Sequence, residues 1–407
     1  MDQPLPILRK DLQLFPVSHE GRELLLVRDP FDLVPEGTAV PVDLYRTVYL
    51  LEGGTVRSLQ EALVRQAGGR LVGTDEVLAI LNRLDEVFLL ESERLRAERD
   101  RVVSVFRSAP VRACSHAGQA YPENEDALKA RLGEILSLGA GARAGSGRVH
   151  ALVAPHIDLS VGARGYASAY GALKETGASR VVVLGVGHQM GPRLFCLSAK
   201  DYQTPLGLIR CDREAVGGLT QSGGDALAPD DFAHKGEHSI EFQSLFLAHL
   251  LGVESFSLVP VLCGNAQAGL PEYSRAAFLD LAGPFLDVLS RIAGEDGTLL
   301  VAGVDFSHTG PKFGHQETAR GMERESSEHD RILLECLVRC DAEGFWEESA
   351  RVQDRYNVCG FSALASLLEV LPSCRGEVLS YDVWHEAPTD SAVSFASAVF
   401  RDVPGAP

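Results

Sequence analysis

Apolar residues gather in four short runs along the middle of the chain, and each run ends in a group able to hold a metal. Arg148–Ala154 leads into Pro155, His156, Ile157 and Asp158. Arg180–Val186 leads into Gly187 and His188, Thr298–Val304 into Asp305, Phe306, Ser307 and His308, and Ser257–Leu262 into Cys263 and Gly264. Val- and Leu-rich runs of this length predict buried strands of a mostly parallel sheet. Ligands bind beyond the carboxyl ends of such strands, so His156, His188, Asp305 and His308 are expected to converge on one site. Helical periodicity fills the intervals, over Arg164–Lys174, Ser239–Leu251, Ala276–Ile292, Asp330–Leu337, Ala342–Val352 and Phe361–Val370. Glu377–Tyr381 and Val393–Phe400 read as closing strands, the last with Val393, Phe395 and Val399 on one face, as in an antiparallel edge strand. Alternating strands and helices predict a three-layer α/β/α domain. The glycine-rich stretch Gly139–Gly147 predicts a flexible loop before its first strong strand.

Residues 1 to about 100 follow another pattern. Leu12–Val17 and Glu23–Arg28 flank a His19-Glu20-Gly21 turn, a hairpin signal. Three helical segments follow: Asp43–Leu51, Ser58–Gln66 with Ser58 as N-cap and Glu61 closing a capping box, and Thr74–Val87 with Thr74 as N-cap. Phe88–Leu90 then reads as a short wing strand. Helix, helix, helix, strand is the winged-helix order, so a small α+β domain is expected over 1–100, followed by a charged helical linker over 101–111 and a larger domain over 112–407. The third helix is acidic, with Arg83 its only cation, which favours peptide or protein docking over DNA.

Composition narrows the function. The chain has 407 residues and a net charge of −18, which disfavours extended contact with nucleic acid. No apolar run reaches the roughly 18–20 residues that cross a membrane, and the N-terminus lacks a signal-peptide pattern, so a cytoplasmic protein is expected. Eight scattered cysteines predict free thiols rather than a disulfide framework. Cys336 and Cys340 are four apart on a helix, a spacing read as packing because no second pair follows. A glycine-rich dinucleotide fingerprint, a Walker A loop and a GxSxG elbow are all absent.

Each candidate residue also has a bland role. His156 and Asp158 fit a hydrogen-bonded histidine and a turn cap. Asp305 fits an N-cap beside His308. His238 and Glu241 share a helix face at i and i+3, where Glu241 also suits the helix dipole. Cys359 precedes the helix at Phe361, whose positive end would lower a thiol pKa. Taken together, imidazoles and a thiolate suit Fe(II), Cu or Zn.

In order, AGQAYP (117–122), VAPH (153–156), LGVGH (184–188), YQTPLG (202–207), EHSIE (237–241), VPVLCG (259–264), DFSH (305–308) and NVCG (357–360) resemble the motifs of the MEMO family, the AmmeMemoRadiSam system protein B group. That family is related to the LigB-type class III extradiol dioxygenases. The resemblance spans about residues 112–401. The ending LDEVFLL (84–90) resembles the small PqqD-type peptide-binding domain. The MEMO resemblance implies a metal site at His156, His188 and Cys359, with Asp305 and His308 in its pocket. A cysteine stands where the dioxygenases carry their third ligand, a carboxylate. Asp158 follows Ile157 where many members have Ala-Gly, and is an extra ligand or a support for His156.

Three functions are therefore expected in competition. The first is a MEMO-like redox protein with Fe(II) favoured and Cu or Zn as alternatives, supported by Asp305, His308, His238 and Glu241. It would act on an unknown small molecule with a radical-SAM or AMMECR1-like protein partner. The second is an extradiol-type dioxygenase in which Asp158 or Glu241 supplies the carboxylate. The third is a non-enzymatic scaffold that docks partners through residues 1–100.

Overall fold

The computed structural model describes residues 3–29, 31–139, 147–173 and 177–402. Residues 140–146 of the glycine-rich stretch and Lys174, the expected end of one helix, lie outside them. The chain divides into two compact units, Met1–Ser108 and Ala109–Pro407.

The first unit begins with strands β1 (Gln13–His19), β2 (Arg22–Arg28) and β3 (Ala39–Pro41), which form an antiparallel sheet in that order. Glu20 and Gly21 both have positive φ, the backbone of a two-residue hairpin turn whose twist matches its strands. Helices α1 (Val42–Leu50), α2 (Val56–Gln66) and α3 (Thr74–Glu86) close over a core that includes Val48, Leu59, Val77 and Leu81. The N-caps sit upstream of the expected ones. Thr55 caps α2, accepting from Ser58 N at 3.3 Å while Ser58 Oγ accepts from Thr55 N at 2.9 Å, and Gly73 caps α3. Thr55 wins because helical backbone already begins at Val56, which places Ser58 at the third helical position. The expected wing at Phe88–Leu90 is reduced to a single bridge from Leu90 to Leu8, as Phe88 turns through a φ of 57°. The charged stretch that follows is helix α4 (Glu93–Ser108).

The second unit contains β4 (Val111–Arg112), α5 (Glu125–Ser137), β5 (Val149–Ala154), α6 (Ala163–Gly171), β6 (Arg180–Val186), β7 (Phe195–Leu197), β8 (Asp201–Thr204), β9 (Gly207–Cys211), α7 (Arg213–Gly223), α8 (His238–Leu251) and β10 (Ser257–Cys263). It continues with α9 (Ala266–Gly269), α10 (Arg275–Gly294), β11 (Thr298–Gly303), β12 (His308–Thr309), α11 (Ala319–Val338), α12 (Ala342–Val352), α13 (Phe361–Val370), β13 (Arg375–Glu386) and β14 (Ser391–Arg401). The strands join in one sheet, ordered β12-β14-β5-β11-β6-β10-β9-β8-β4, with β13 on β14 and β7 on β10. Five neighbouring strands, β5, β11, β6, β10 and β9, are parallel, with β14 antiparallel to β5 on one side and β8 antiparallel to β9 on the other. β14 is antiparallel as expected but is not an edge strand. β13 pairs along its outer side, β12 pairs with Ala392 and Val393 on the side that β5 takes farther along, and its small residues Ala392, Ser394, Ala396, Ser397 and Ala398 are all buried.

Strand side chains alternate between two cores, as period-2 geometry requires. Val153, Val182, Leu184, Val259 and Leu300 face a core with α7, α10 and α13 residues. Leu152, Val181, Val183, Leu258 and Val301 face one with α5, α6 and α8 residues. Helices thus cover both faces of a largely parallel sheet. Among the described residues, no helix is long and apolar enough to cross a membrane.

Two glycines bring α8 onto the strand ends. Gly303 of β11 and Gly185 of β6 are register partners. A Cβ at Gly303 would lie 2.6 Å from Ser239 O, and one at Gly185 would lie 2.6 Å from Ile240 and Ser239 side-chain atoms. Only glycine permits this approach. It sets Glu237 and His238, at the start of α8, over the carboxyl edge of the sheet.

Candidate metal centre

The register levels three strand ends, pairing Ala154 with Gly303 and Gly303 with Gly185. His156, Asp305 and His188 follow within three residues, so the sheet itself gathers them. His156 is buried. Its Nδ1 lies 2.9 Å from the carbonyl oxygen of Gly303. A carbonyl only accepts, so Nδ1 carries the proton and the Nε2 lone pair is left free. Burial, helped by neighbouring His188, lowers the His156 pKa to about 4 against the pull of the Gly303 bond and Glu237. The ring is neutral at pH 7, the state a metal needs.

His188 is oriented by Glu237. Its Nδ1 lies 3.1 Å from each carboxylate oxygen, and its backbone N donates to Oε2 at 3.1 Å. Burial opposes charge on this ring, but Glu237 outweighs burial and moves the His188 pKa upward. The side chain is still 36% exposed, because its far edge stands in the wall of an open cavity. Glu237 also caps α8, accepting from His238 N at 2.9 Å and Ser239 N at 3.0 Å. Burial would raise its pKa, yet His188, His238 and these amides hold it well below the usual carboxylate range. Sequence reasoning did not single out Glu237. Its signals were a place just before a helix, a capping position, and its place at the head of the EHSIE motif (237–241).

Cys359 comes from the connector between α12 and α13. Its Sγ lies 3.6 Å from His156 Nε2 and 3.5 Å from Asp305 O. The sequence led us to expect a thiol pKa lowered by the helix start. Here it is raised well above the ordinary value, because the thiol is buried near the carboxylates of Asp305, Glu237 and Asp354. Burial and anionic neighbours outweigh the helix end, leaving a neutral thiol.

The ligand atoms of His156, His188 and Cys359 all lie within 4.8 Å of one another. This donor set fits a metal ion. Both imidazoles are held through Nδ1 and keep Nε2 for coordination, as metal-ligating histidines do. A divalent ion would also displace the thiol proton outright.

The other predicted residues divide into three groups. Asp305 is buried at the centre, accepting from His156 N at 3.1 Å, with Oδ2 3.6 Å from His156 Nε2. Burial raises its pKa to about 6. His308 lines the cavity with its Nδ1 2.9 Å from Phe306 O, and burial lowers its pKa to about 4. His238 stacks on the His188 ring at 5.1 Å and meets His156 edge-on at 5.1 Å. It also forms a second close group with His188 and Glu237.

Glu241 and Asp158 stand apart. Glu241 is buried against Arg112 and accepts from Ser115 N and Oγ, His116 N and Tyr121 Oη. Its oxygens are saturated by the segment that follows β4. Asp158 is exposed and folds back on its own turn, accepting from Ser160 N at 2.8 Å and Val161 N at 3.3 Å. Cys263, at the fourth strand end, is buried, and burial pushes its thiol up to about 12.

A cavity of about 330 Å³ opens beside the centre. It is lined by His188, His308 and Cys359, with Met190, Tyr273, Asp354 and Asn357 among the other walls.

The Memo-like protein family model matches residues 112–399. A MEMO1 family protein of Aquifex aeolicus is 32% identical over 97% of this chain and all of its own length, which takes in most of the first unit. One from Thermus thermophilus is 29% identical over 86% of the chain and all of its own length. One from Nitrosopumilus maritimus is 24% identical over 70% of the chain and 97% of its own.

Proposed function

Because the chain belongs to the Memo-like protein family, we propose that its second unit is a metal-dependent redox protein. Iron is the favoured ion, with Cu or Zn as alternatives. His156 and His188 would hold it through Nε2 and Cys359 through Sγ. The reading rests on the three ligand atoms lying within 4.8 Å, with both imidazoles already oriented through Nδ1. When bound, iron would supply one-electron chemistry that the side chains lack. The residues around it would control protons and position. The Gly303 carbonyl and Glu237 fix the two rings. Asp305, near pH 6, can hold or release a proton at Oδ2. His308 offers an unprotonated Nε2 to the cavity.

Metal analysis of untagged protein beside Cys359→Ala and His156→Ala tests this reading. Wild type is expected to retain near one equivalent of metal and both variants to lose most of it. Equal content in all three would overturn it.

The group of His188, Glu237 and His238 favours a second reading, a two-histidine, one-carboxylate site of extradiol type. Glu237 already accepts from His188, His238 and Ser239 amides, so a metal there would have to displace these bonds. Oxygen uptake with a catechol panel after anaerobic Fe(II) loading separates the readings, since the first predicts none.

We assign docking of a radical-SAM or AMMECR1-like partner to the first unit. A pull-down that succeeds with the second unit alone would refute that assignment.

A further inference from the structure

Outside its imidazole and thiol face, the cavity beside the centre has one charged side chain, a carboxylate. Its walls include Asp354, the amides of Asn265, Gln267 and Asn357, and the rings of Tyr273, Phe313 and Phe361, but no Lys or Arg. Asp354 Oδ1 accepts from Val358 N at 3.0 Å, and among the described residues Asp354 has no ion-pair partner. The imidazole that influences it from outside the cavity, His329, is itself held by Glu348, with Nδ1 to Oε1 at 2.7 Å. Burial therefore pushes the Asp354 carboxyl up to about 6.

The backbone here is costly as well. Gln353, Asp354 and Asn357 have φ values of 52°, 51° and 49°, a left-handed conformation that side chains disfavour. From this turn Asp354 and Asn357 both line the cavity. A carboxylate without an ion-pair partner, in a cavity also lined by aromatic side chains, suits an ammonium group carried on an apolar body. An anion would meet Asp354 with no guanidinium or ammonium to balance it.

We propose that this cavity takes a small molecule bearing a protonated amine on an apolar, ring-sized body, with Asp354 as its counter-charge. The inference rests on the cavity being the working site of the metal centre, and it names the ligand class of that site.

Calorimetric titration of the full chain, metal-free and loaded anaerobically with Fe(II), tests it with three matched probes: tyramine, para-ethylphenol and para-hydroxyphenylacetate. Tyramine is expected to bind about tenfold or more tighter than the neutral probe, and tighter still than the acid. Asp354→Asn keeps the acceptor for Val358 N, so it should fold, and it should abolish the preference. Equal binding of the three probes, no binding of any, or a preference that survives in Asp354→Asn would overturn the proposal. Failure of wild type to hold metal, with the amine preference intact, would refute the metal reading alone. Metal held by His156, His188 and Cys359 without an amine preference would refute this inference alone.

Discussion

His156 and His188 follow strands whose register is fixed by ladder hydrogen bonds, whereas Cys359 and Asp354 sit on an irregular connector with three left-handed residues. On the strand side, position comes from long-range pairing, and each ring is then pinned by one acceptor. On the connector side, position comes from short-range bonds: Asp354 to Val358 N, and Asn357 Nδ2 to His308 O at 3.3 Å and Phe313 O at 3.2 Å. The contrast shows that one centre can combine a scaffold that tolerates little change with a loop that depends on a few polar side chains.

Removing the deepest support of the strand side should have the largest effect. Arg112→Met leaves the buried Glu241 carboxylate of α8 without its cation, at an expected cost of about 3–5 kcal/mol in urea unfolding. A loss within error of zero would show that Glu241 simply takes up a proton there. A smaller but more local effect is expected at the ring support. Glu237→Gln should weaken metal affinity about 10–100-fold in a competition titration while leaving the fold intact. If affinity were unchanged, the strand-side geometry alone would suffice.

The junction between the two sides can be strained directly. A Cβ at Gly360 would lie 2.5 Å from Val304 Cβ and 2.7 Å from Asp305 O. Gly360→Ala is thus expected to cost about 1–3 kcal/mol and to lower metal content, because it pushes Cys359 away from the strand end. Full metal content in that variant would mean that the connector yields freely.

The smallest expected effect concerns pH. Asp330 accepts from Ser307 Oγ, Ser394 Oγ and Tyr381 Oη behind the Asp305 strand end. Burial raises its pKa against the pull of these hydroxyls. A raised carboxyl adds stability that is fully present below the ordinary Asp value of about 3.9 and is lost as pH rises through its folded value. Urea midpoints should therefore fall with rising pH more steeply in wild type than in Asp330→Asn. Parallel slopes would contradict this.

The strand side was largely legible in the sequence. Apolar runs and the polar residues ending them pointed to His156, His188, Asp305 and His308 as neighbours, and the sheet does bring their strand ends side by side, because buried parallel strands announce themselves by composition. The connector was legible only as a cysteine before a helix. Its left-handed residues carry no periodic signal, so Asp354 was not picked out and Asn357 entered only as the first residue of the NVCG motif. Burial and neighbouring charge reversed the expected direction of the Cys359 pKa, and neither is visible in a linear pattern. Glu241 looked like a site carboxylate because spacing shows which helix face a residue shares but not what already occupies its oxygens. Asp158 looked like one because it lies two residues after His156, but its carboxylate is taken up by its own turn. The order of strands, with β11 between β5 and β6, also lay beyond local reading.

The level strand ends impose an order in time on the centre. His156 and Cys359 are 203 residues apart. At a synthesis rate of about 5–20 residues per second, the thiol follows the imidazole by about 10–40 s. Throughout that interval β11, which supplies the Gly303 acceptor, is missing or newly made, and the connector does not yet exist. No half-built chain can present the three-ligand set. Metal loading would therefore be a late event, confined to chains that have already closed their central sheet, and occupancy would report that maturation is complete.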